Sequence, residues 1–141
     1  MYSSPFSQRS PRPTTSSGLY QQVGVETRLS GASPHQMVAM LFDGYMEALA
    51  QARGAIRSAD TVAKGVAIGR AVRIVEEGLR AGLDLKAGGS LARDLDDLYA
   101  YLAMRLTLAN LHSDEAALDE CRQLVQPLQE AWTAIADQPR R

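Results

Sequence analysis

The chain has 141 residues, of which 45% are hydrophobic and 22% are charged, and its formal net charge is −1. This length and composition fit one domain with a substantial core, and the near-neutral charge excludes a global basic field that would hold nucleic acid or an acidic membrane. No apolar run approaches the roughly 18 residues of a membrane-spanning helix, and the N-terminus lacks the apolar core of a signal peptide.

The N-terminal segment is rich in serine and proline. Residues 3–17 contain six Ser, two Thr and three Pro, a composition that cannot bury enough apolar surface to offset the entropy of ordering. We predict a disordered tail over residues 1–18, either a mobile arm or plain terminal disorder, and a helical domain over residues 19–137. Residues 19–25 are apolar at intervals and predict a short extra helical segment, whereas residues 138–141 are expected to fray.

The first long helix is predicted over about residues 34–58. Ser33 is placed to be its N-cap, Pro34 its first residue, and Gln36 the residue that completes a capping box. Apolar residues then recur at helical spacing over a wide face: Met37, Val38, Leu41, Phe42, Tyr45, Leu49 and Ala52. A helix with so wide an apolar face needs several neighbours, or one neighbour and a bound guest.

The second helix is predicted over about residues 62–86 and contains four glycines. Each glycine costs roughly 1 kcal/mol relative to alanine in a helix interior. They form two pairs at i,i+4, Gly65 with Gly69 and Gly78 with Gly82. Each pair makes one small face, which serves either close helix packing or a shallow groove for a partner helix. The Ala-Gly-Gly sequence at residues 87–89 ends this helix.

Two further helices follow. The third is predicted over about residues 91–112 with Ser90 as its cap, and the fourth over about residues 115–136 with Ser113 or Asp114 as its cap. The fourth carries a heptad seam that faces either the core or a second copy: Leu118, Cys121, Val125, Leu128, Trp132 and Ile135. Pro127 lies inside this helix and predicts a kink or a break.

Four amphipathic helices joined by short connections predict an all-α fold, an antiparallel up-down four-helix bundle. The charges are unevenly spread along it. Residues 53–86 include seven basic and four acidic residues, whereas residues 91–137 include three basic and nine acidic residues. We interpret this asymmetry as solvated faces that pair across the bundle rather than as an acidic docking surface.

The sequence contains no clear catalytic or metal-binding constellation. A di-iron bundle requires Glu-x-x-His pairs, and neither His35 nor His112 is part of one. Cys121 occupies a seam position and is interpreted as a small core residue; a single cysteine also indicates a reducing cytoplasm. Three acids lie early in the third helix, where they favour the helix dipole: Asp94, Asp96 and Asp97. We predict neither an enzyme nor a cofactor.

Several short motifs occur in one order along the chain: Tyr20 with Val23-Gly24-Val25-Glu26, Ser33-Pro34-His35-Gln36, Met40-Leu41-Phe42-Asp43-Gly44, Leu79-Arg80, Leu83-Asp84, Gly88-Gly89, Leu98-Tyr99, Arg105-Leu106, Ala109-Asn110 and Ala131-Trp132. Each motif is weak alone, but at these spacings the chain closely resembles the FliS family of flagellar export chaperones. The resemblance covers about Leu19 to Trp132, nearly all of the chain after the tail.

The resemblance implies a small helical bundle in the bacterial cytoplasm that binds the disordered C-terminal segment of newly made flagellin. The segment would become helical as it wraps the bundle. Binding would prevent premature polymerisation and deliver flagellin to export-gate proteins of the flagellar type III secretion system, with no cofactor, nucleic acid or membrane insertion. Tyr20 and Val23 match a family segment that lies over an apolar pocket used by flagellin. Wider flagellin contacts are assigned by resemblance to Met40, Leu41, Tyr45, Leu98, Tyr101, Leu102 and Arg105.

Two other function classes stay open on the sequence alone. One is a generic adaptor bundle that binds some other amphipathic helix. The other is a phosphorelay or metal-binding bundle that uses His35, His112 or the aspartates of the third helix.

Overall fold

The computed structural model describes residues 31–136, and within that range the chain forms helices and no strand. The helices are α1 (Pro34–Arg57), α2 (Thr61–Arg73, continued by a π-helical segment, Ile74–Arg80), α3 (Gly89–His112) and α4 (Glu115–Ala136). This all-α arrangement confirms the predicted four-helix bundle. The predicted tail over residues 1–18, the short segment over residues 19–25 and the frayed end over residues 138–141 lie outside the described residues.

The start of α1 is held by the predicted capping box. The Oγ of Ser33 accepts a hydrogen bond from the backbone N–H of Gln36 at 3.1 Å, and the Oε1 of Gln36 accepts one from the backbone N–H of Ser33 at 2.8 Å. Pro34 occupies the first turn, where its missing N–H costs nothing. The local sequence alone therefore determines where this helix begins.

The C-terminal end of α2 differs from the prediction. The helix was expected to reach about residue 86, but its π-helical segment ends at Arg80, where the N–H of Ala81 donates to the carbonyl of Glu76 at 3.1 Å. Beyond it, the Oδ1 of Asp84 accepts hydrogen bonds from the backbone N–H groups of Lys86 and Ala87 at 3.2 and 3.0 Å. An aspartate that binds nearby backbone in this way competes with helix formation.

The start of α3 also corrects the prediction. Ser90 was expected to be the cap, but it lies inside the helix, and the preceding Gly88 makes no side-chain cap. Gly89 has a φ of 57°, a left-handed conformation that suits glycine. A Cβ at Gly88 would lie 2.6 Å from the Cβ of Ala92, so this turn also requires a small residue for packing.

The sequence left open whether Ser113 or Asp114 caps the fourth helix, and the connection between α3 and α4 decides between them. Ser113 ends α3 in a left-handed conformation, with a φ of 50°. Asp114 caps α4, because its Oδ1 accepts the backbone N–H of Ala117 at 3.2 Å. α4 then continues through Pro127 to Ala136, so the predicted alternative of a break at Pro127 is wrong.

Contacts at both ends of the bundle show that neighbouring helices run antiparallel. The Nζ of Lys64, early in α2, donates to the Oγ of Ser113 at the end of α3 at 2.8 Å. Arg80, late in α2, pairs with Asp96, early in α3, at 2.7 Å. Arg57 at the end of α1 pairs with Glu115 at the start of α4 at 2.9 Å. α1 also packs against α2 and α4, and α3 packs against α2 and α4, which closes the four-helix arrangement.

The core combines aliphatic and aromatic residues from all four helices, and one of the aromatic residues, Tyr45, makes a buried hydrogen bond. Tyr45 is fully buried, and its hydroxyl donates to the carbonyl of Cys121 at 3.0 Å. Leu118, Cys121 and Val125 of the heptad seam are 0% exposed, so this part of the seam faces the core rather than a second copy. The last residue of the seam, Ile135, is 53% exposed and lies outside the core.

Candidate functional site

α3 is apolar on two sides. Its inward side is buried at Leu102, Leu106 and Ala109. Its outward side carries a second stripe at steps of three, four and three residues, which we name the outer α3 face: Tyr101, Met104, Leu108 and Leu111, exposed by 38%, 46%, 36% and 72%. A core helix needs only the first stripe, and residues 31–136 leave the second stripe exposed as a surface for another molecule.

The spacing of the outer α3 face fits an amphipathic helix as its partner. Isolated exposed apolar residues are normal on protein surfaces, but a contiguous apolar patch marks an interaction site. Anchors at steps of three and four are those with which one helix packs along another. Met104 adds a flexible, polarisable side chain that adapts to different partner shapes.

A polar network borders this face on the side of α4. The Tyr101 hydroxyl donates to Oε2 of Glu120 at 2.6 Å, and Nε of Arg105 donates to Oε1 of the same carboxylate at 2.8 Å. The hydrogen bond from Tyr101, followed by that from Arg105, holds the pKa of Glu120 below its usual range. The same bond to Glu120 raises the pKa of Tyr101, so the pair stays a neutral phenol and an ionised carboxylate.

A smaller exposed apolar face lies on α2. Val62 and Val66 are 77% and 69% exposed. A Cβ added at Gly65 or Gly69 would meet nothing within 4 Å, so close packing against the described residues does not explain this glycine pair. This leaves the shallow-groove interpretation for Gly65 and Gly69. The hydrogen bond between Lys64 and Ser113 places this face at the same end of the bundle as the C-terminal half of α3.

The predicted contact residues divide between surface and core. Leu41, Tyr45 and Leu102 are at most 2% exposed and Met40 is 9% exposed, so they belong to the core in this structure. Leu98 and Arg105 are half-buried and Tyr101 is exposed. Glu120 brings Tyr101 and Arg105 together, whereas the α1 residues contribute to the interior. Tyr20 and Val23 lie outside the described residues, and the assignment of all of these residues to flagellin stays a prediction.

Sequence reasoning missed most of the exposed apolar surface. In the third helix it assigned contacts to Leu98, Tyr101, Leu102 and Arg105 by resemblance and did not identify the apolar residues Met104, Leu108 and Leu111. A count of apolar residues at steps of three and four from Tyr101 would have found them. It also missed Glu120, because a carboxylate on one helix that engages two groups on another leaves no local pattern.

The residues considered for chemistry have structural roles. The ring of His35 stacks on Trp132 with centroids 4.5 Å apart, and its Nε2 lies 2.8 Å from the carbonyl oxygen of Trp132. The Trp132 Nε1–H donates back to the carbonyl of His35 at 3.0 Å, which ties the start of α1 to the end of α4. Burial raises the pKa of the Cys121 thiol to about 11, as suits an unreactive core cysteine.

The described residues contain neither a metal-binding cluster nor a membrane-spanning helix. Between Gly31 and Ala136, no group of three or more His, Cys, Asp or Glu side chains is placed to hold a metal ion. None of the helices in the same range has both the length and the apolarity needed to cross a bilayer.

The chain is similar to proteins of one kind. A family model described as "Flagellar protein FliS" matches residues 16–139. The flagellar secretion chaperone FliS of Salmonella typhimurium is 45% identical over 124 residues, covering 86% of this chain and 92% of that protein. The flagellar secretion chaperone FliSB of Pseudomonas aeruginosa is 43% identical, covering 83% and 92%. The flagellar secretion chaperone FliS of Bacillus subtilis is 27% identical, covering 86% of each.

Proposed function

The chain belongs to the FliS family of flagellar secretion chaperones, and we propose that it binds the C-terminal segment of flagellin in the bacterial cytoplasm. In this proposal the chaperone prevents premature polymerisation of flagellin and delivers it to the export gate of the flagellar type III secretion system. The observation that carries the proposal is the outer α3 face, an exposed apolar stripe with helical spacing in a protein of this family.

The outer α3 face supports recognition of a segment that folds as it binds. Tyr101, Met104 and Leu108 offer apolar contact along about two helical turns of α3. A disordered amphipathic segment can cover such a stripe by forming a helix. Ordering the segment consumes about 2–5 kcal/mol of the gross interaction free energy. Binding can therefore be specific and still weak enough for release at the export gate.

Other predicted residues have different roles in this proposal. Leu41, Tyr45 and Leu102 shape the core beneath the surface, and Met40 lies at its edge. Tyr20 and Val23 keep their assignment by resemblance, as part of a segment that shares an apolar pocket with flagellin. Arg105 flanks the outer α3 face from its α4 side, and Leu98 is half-buried against the core.

Calorimetry with purified flagellin tests the proposal. We expect one-to-one binding with a large negative heat-capacity change, and no binding by flagellin that lacks its C-terminal segment. Met104→Glu should weaken binding by about tenfold or more, because it places a charge in the centre of the apolar stripe. Ile135→Glu is the matched control, since Ile135 is 53% exposed on α4, away from this face.

Two results would contradict the proposal. The first is equal affinity for intact and truncated flagellin, which would exclude the C-terminal segment as the bound part. The second is equal weakening by Met104→Glu and Ile135→Glu, which would mean that added charge, rather than the outer α3 face, determines the loss.

A further inference from the structure

Glu120 connects α4 to the outer α3 face. Its two carboxylate oxygens are engaged separately, Oε2 by the Tyr101 hydroxyl at 2.6 Å and Oε1 by Nε of Arg105 at 2.8 Å. Among the described residues, these are the only side-chain hydrogen bonds that join α3 to α4. The three side chains form one network at the edge of the apolar stripe.

The stability of the bundle does not account for this network. The Glu120 side chain is 38% exposed and that of Arg105 is 26% exposed, and ion pairs exposed to solvent contribute little to folding. The other pairs between helices, such as Arg57 with Glu115 and Arg80 with Asp96, do not include a residue of the outer α3 face. The Glu120 network is distinct because it fixes Tyr101, the one aromatic residue of that face.

A fixed aromatic side chain favours binding. A free tyrosine or arginine loses rotamer freedom when a guest covers it, and this loss weakens the complex. Glu120 removes that cost in advance, because Tyr101 and Arg105 are already held in the unliganded chain. Glu120 also neutralises Arg105 next to the stripe, so that an apolar guest does not meet an unpaired charge.

We propose that Glu120 is the positioning residue of the guest-binding face: from α4 it holds Tyr101 and Arg105 of α3 in the arrangement that a helical guest requires. Glu120 itself need not touch the guest. This inference rests on the proposed function, since it takes the outer α3 face as the binding surface for the flagellin segment.

Glu120→Gln tests the inference. The substitution keeps the size of the side chain, removes its charge and places an amide donor against Tyr101 or Arg105. We expect affinity for a synthetic peptide of the flagellin C-terminal segment to fall about three- to tenfold, as for the immobilisation of one or two side chains. NMR relaxation should show faster motion of the Tyr101 ring and the Arg105 Nε–H in the free variant. The melting temperature should stay nearly unchanged.

Asp119→Asn is the matched control. Asp119 is the neighbour of Glu120 in α4; it accepts from Arg122 of the same helix at 3.1 Å and lies 4.0 Å from Arg53 of α1, and neither contact involves the outer α3 face. We expect Asp119→Asn to leave both peptide affinity and the motion of Tyr101 unchanged. Tyr101→Phe gives a second variant: it should weaken binding in the wild-type background and have little further effect in Glu120→Gln.

The outcomes separate the two proposals. If the wild-type chain does not bind the peptide, the proposed function fails and this inference fails with it. If the wild-type chain binds and Glu120→Gln binds equally well, only the positioning role of Glu120 is overturned. Equal weakening by Asp119→Asn and Glu120→Gln would also overturn it, because the effect would then follow from charge alone.

Discussion

Tyr45 is an aromatic residue whose hydroxyl group is hydrogen-bonded inside the core. It lies between Gly44 and Met46 on α1 and was predicted to contact a guest, but its side chain is fully buried. Its hydroxyl crosses the core to the carbonyl of Cys121 on α4. Burial, and then the proximity of Cys121, raises the pKa of Tyr45, so the hydroxyl remains a protonated donor. The residue links two helices that are far apart in sequence.

We expect Tyr45→Phe to lower the free energy of unfolding by about 0.5–1.5 kcal/mol, the net contribution of a typical buried hydrogen bond. The loss stays moderate because the carbonyl of Cys121 lies within a helix and keeps an intrahelical acceptor role. Urea denaturation monitored by circular dichroism measures the change. Tyr101→Phe removes an exposed hydroxyl and should leave the unfolding midpoint nearly unchanged. An unaltered midpoint in Tyr45→Phe would mean that the bond to Cys121 does not stabilise the bundle.

At the scale of single residues, the sequence predicts burial better than it predicts exposure. The periodic residues of the first helix, such as Leu41 and Leu49, lie in the core because one apolar stripe must be buried. The outer stripe that begins at Tyr101 has the same helical spacing as the buried stripe that contains Tyr45, so spacing alone does not tell the exposed tyrosine from the buried one. Only the positions of the neighbouring helices distinguish them, since Tyr45 meets α4 across the core and Tyr101 meets it at the surface.

At the scale of helices, a start is predictable where its cap is local. Ser33 and Gln36 form a capping box from four adjacent residues, and α1 begins where they predict. The predicted end of α2, at about residue 86, was wrong because two interactions that the sequence analysis did not consider end the helix earlier. Asp84 forms a turn with nearby backbone, and Arg80, the last residue of the π-helical segment, pairs with Asp96 on α3. The second of these interactions is non-local and has no pattern in sequence.

Two glycine-to-alanine substitutions are expected to change the stability of the protein in opposite directions. Gly69→Ala should stabilise the protein by up to about 1 kcal/mol, because the added Cβ meets nothing within 4 Å and alanine favours helix. Gly88→Ala should destabilise it, because the added Cβ would lie 2.6 Å from the Cβ of Ala92. Thermal unfolding of both variants gives the comparison. A lower melting temperature for Gly69→Ala would show that another part of the chain covers this position.

At the scale of the whole molecule, the uneven charge is matched in part across the bundle, since Arg53, Arg57 and Arg80 pair with acidic residues of α3 and α4. The basic segment that begins at Arg53 faces acidic residues of α3 and α4, as in the pairs of Arg57 with Glu115 and Arg80 with Asp96. This agrees with the interpretation of charged outer faces that pair with one another. Together with the His35–Trp132 link, these pairs join the ends of antiparallel helices and leave the apolar outer α3 face between them free.

These pairs predict how stability changes with acid. Hydrogen bonds from Arg57 hold the pKa of Glu115 below its usual range, and those from Tyr101 and Arg105 do the same for Glu120. A carboxyl whose pKa is lower in the folded chain stabilises it fully above the ordinary glutamate pKa of about 4.3. That stabilisation disappears as the pH falls through the folded-state pKa.

The melting temperature should therefore be nearly constant from about pH 8 to about pH 5 and should fall at lower pH. Because both carboxyls are accessible to solvent, added salt should reduce the contribution of these pairs to the acid-induced decrease. A double variant, Glu115→Gln with Glu120→Gln, should melt at a slightly lower temperature at neutral pH and show a shallower decrease in acid. The measurement is differential scanning calorimetry across this pH range at low and high salt. An identical pH dependence for the double variant and the wild type would exclude these two carboxylates as the source of acid sensitivity, and would assign it to the remaining carboxyls of the chain.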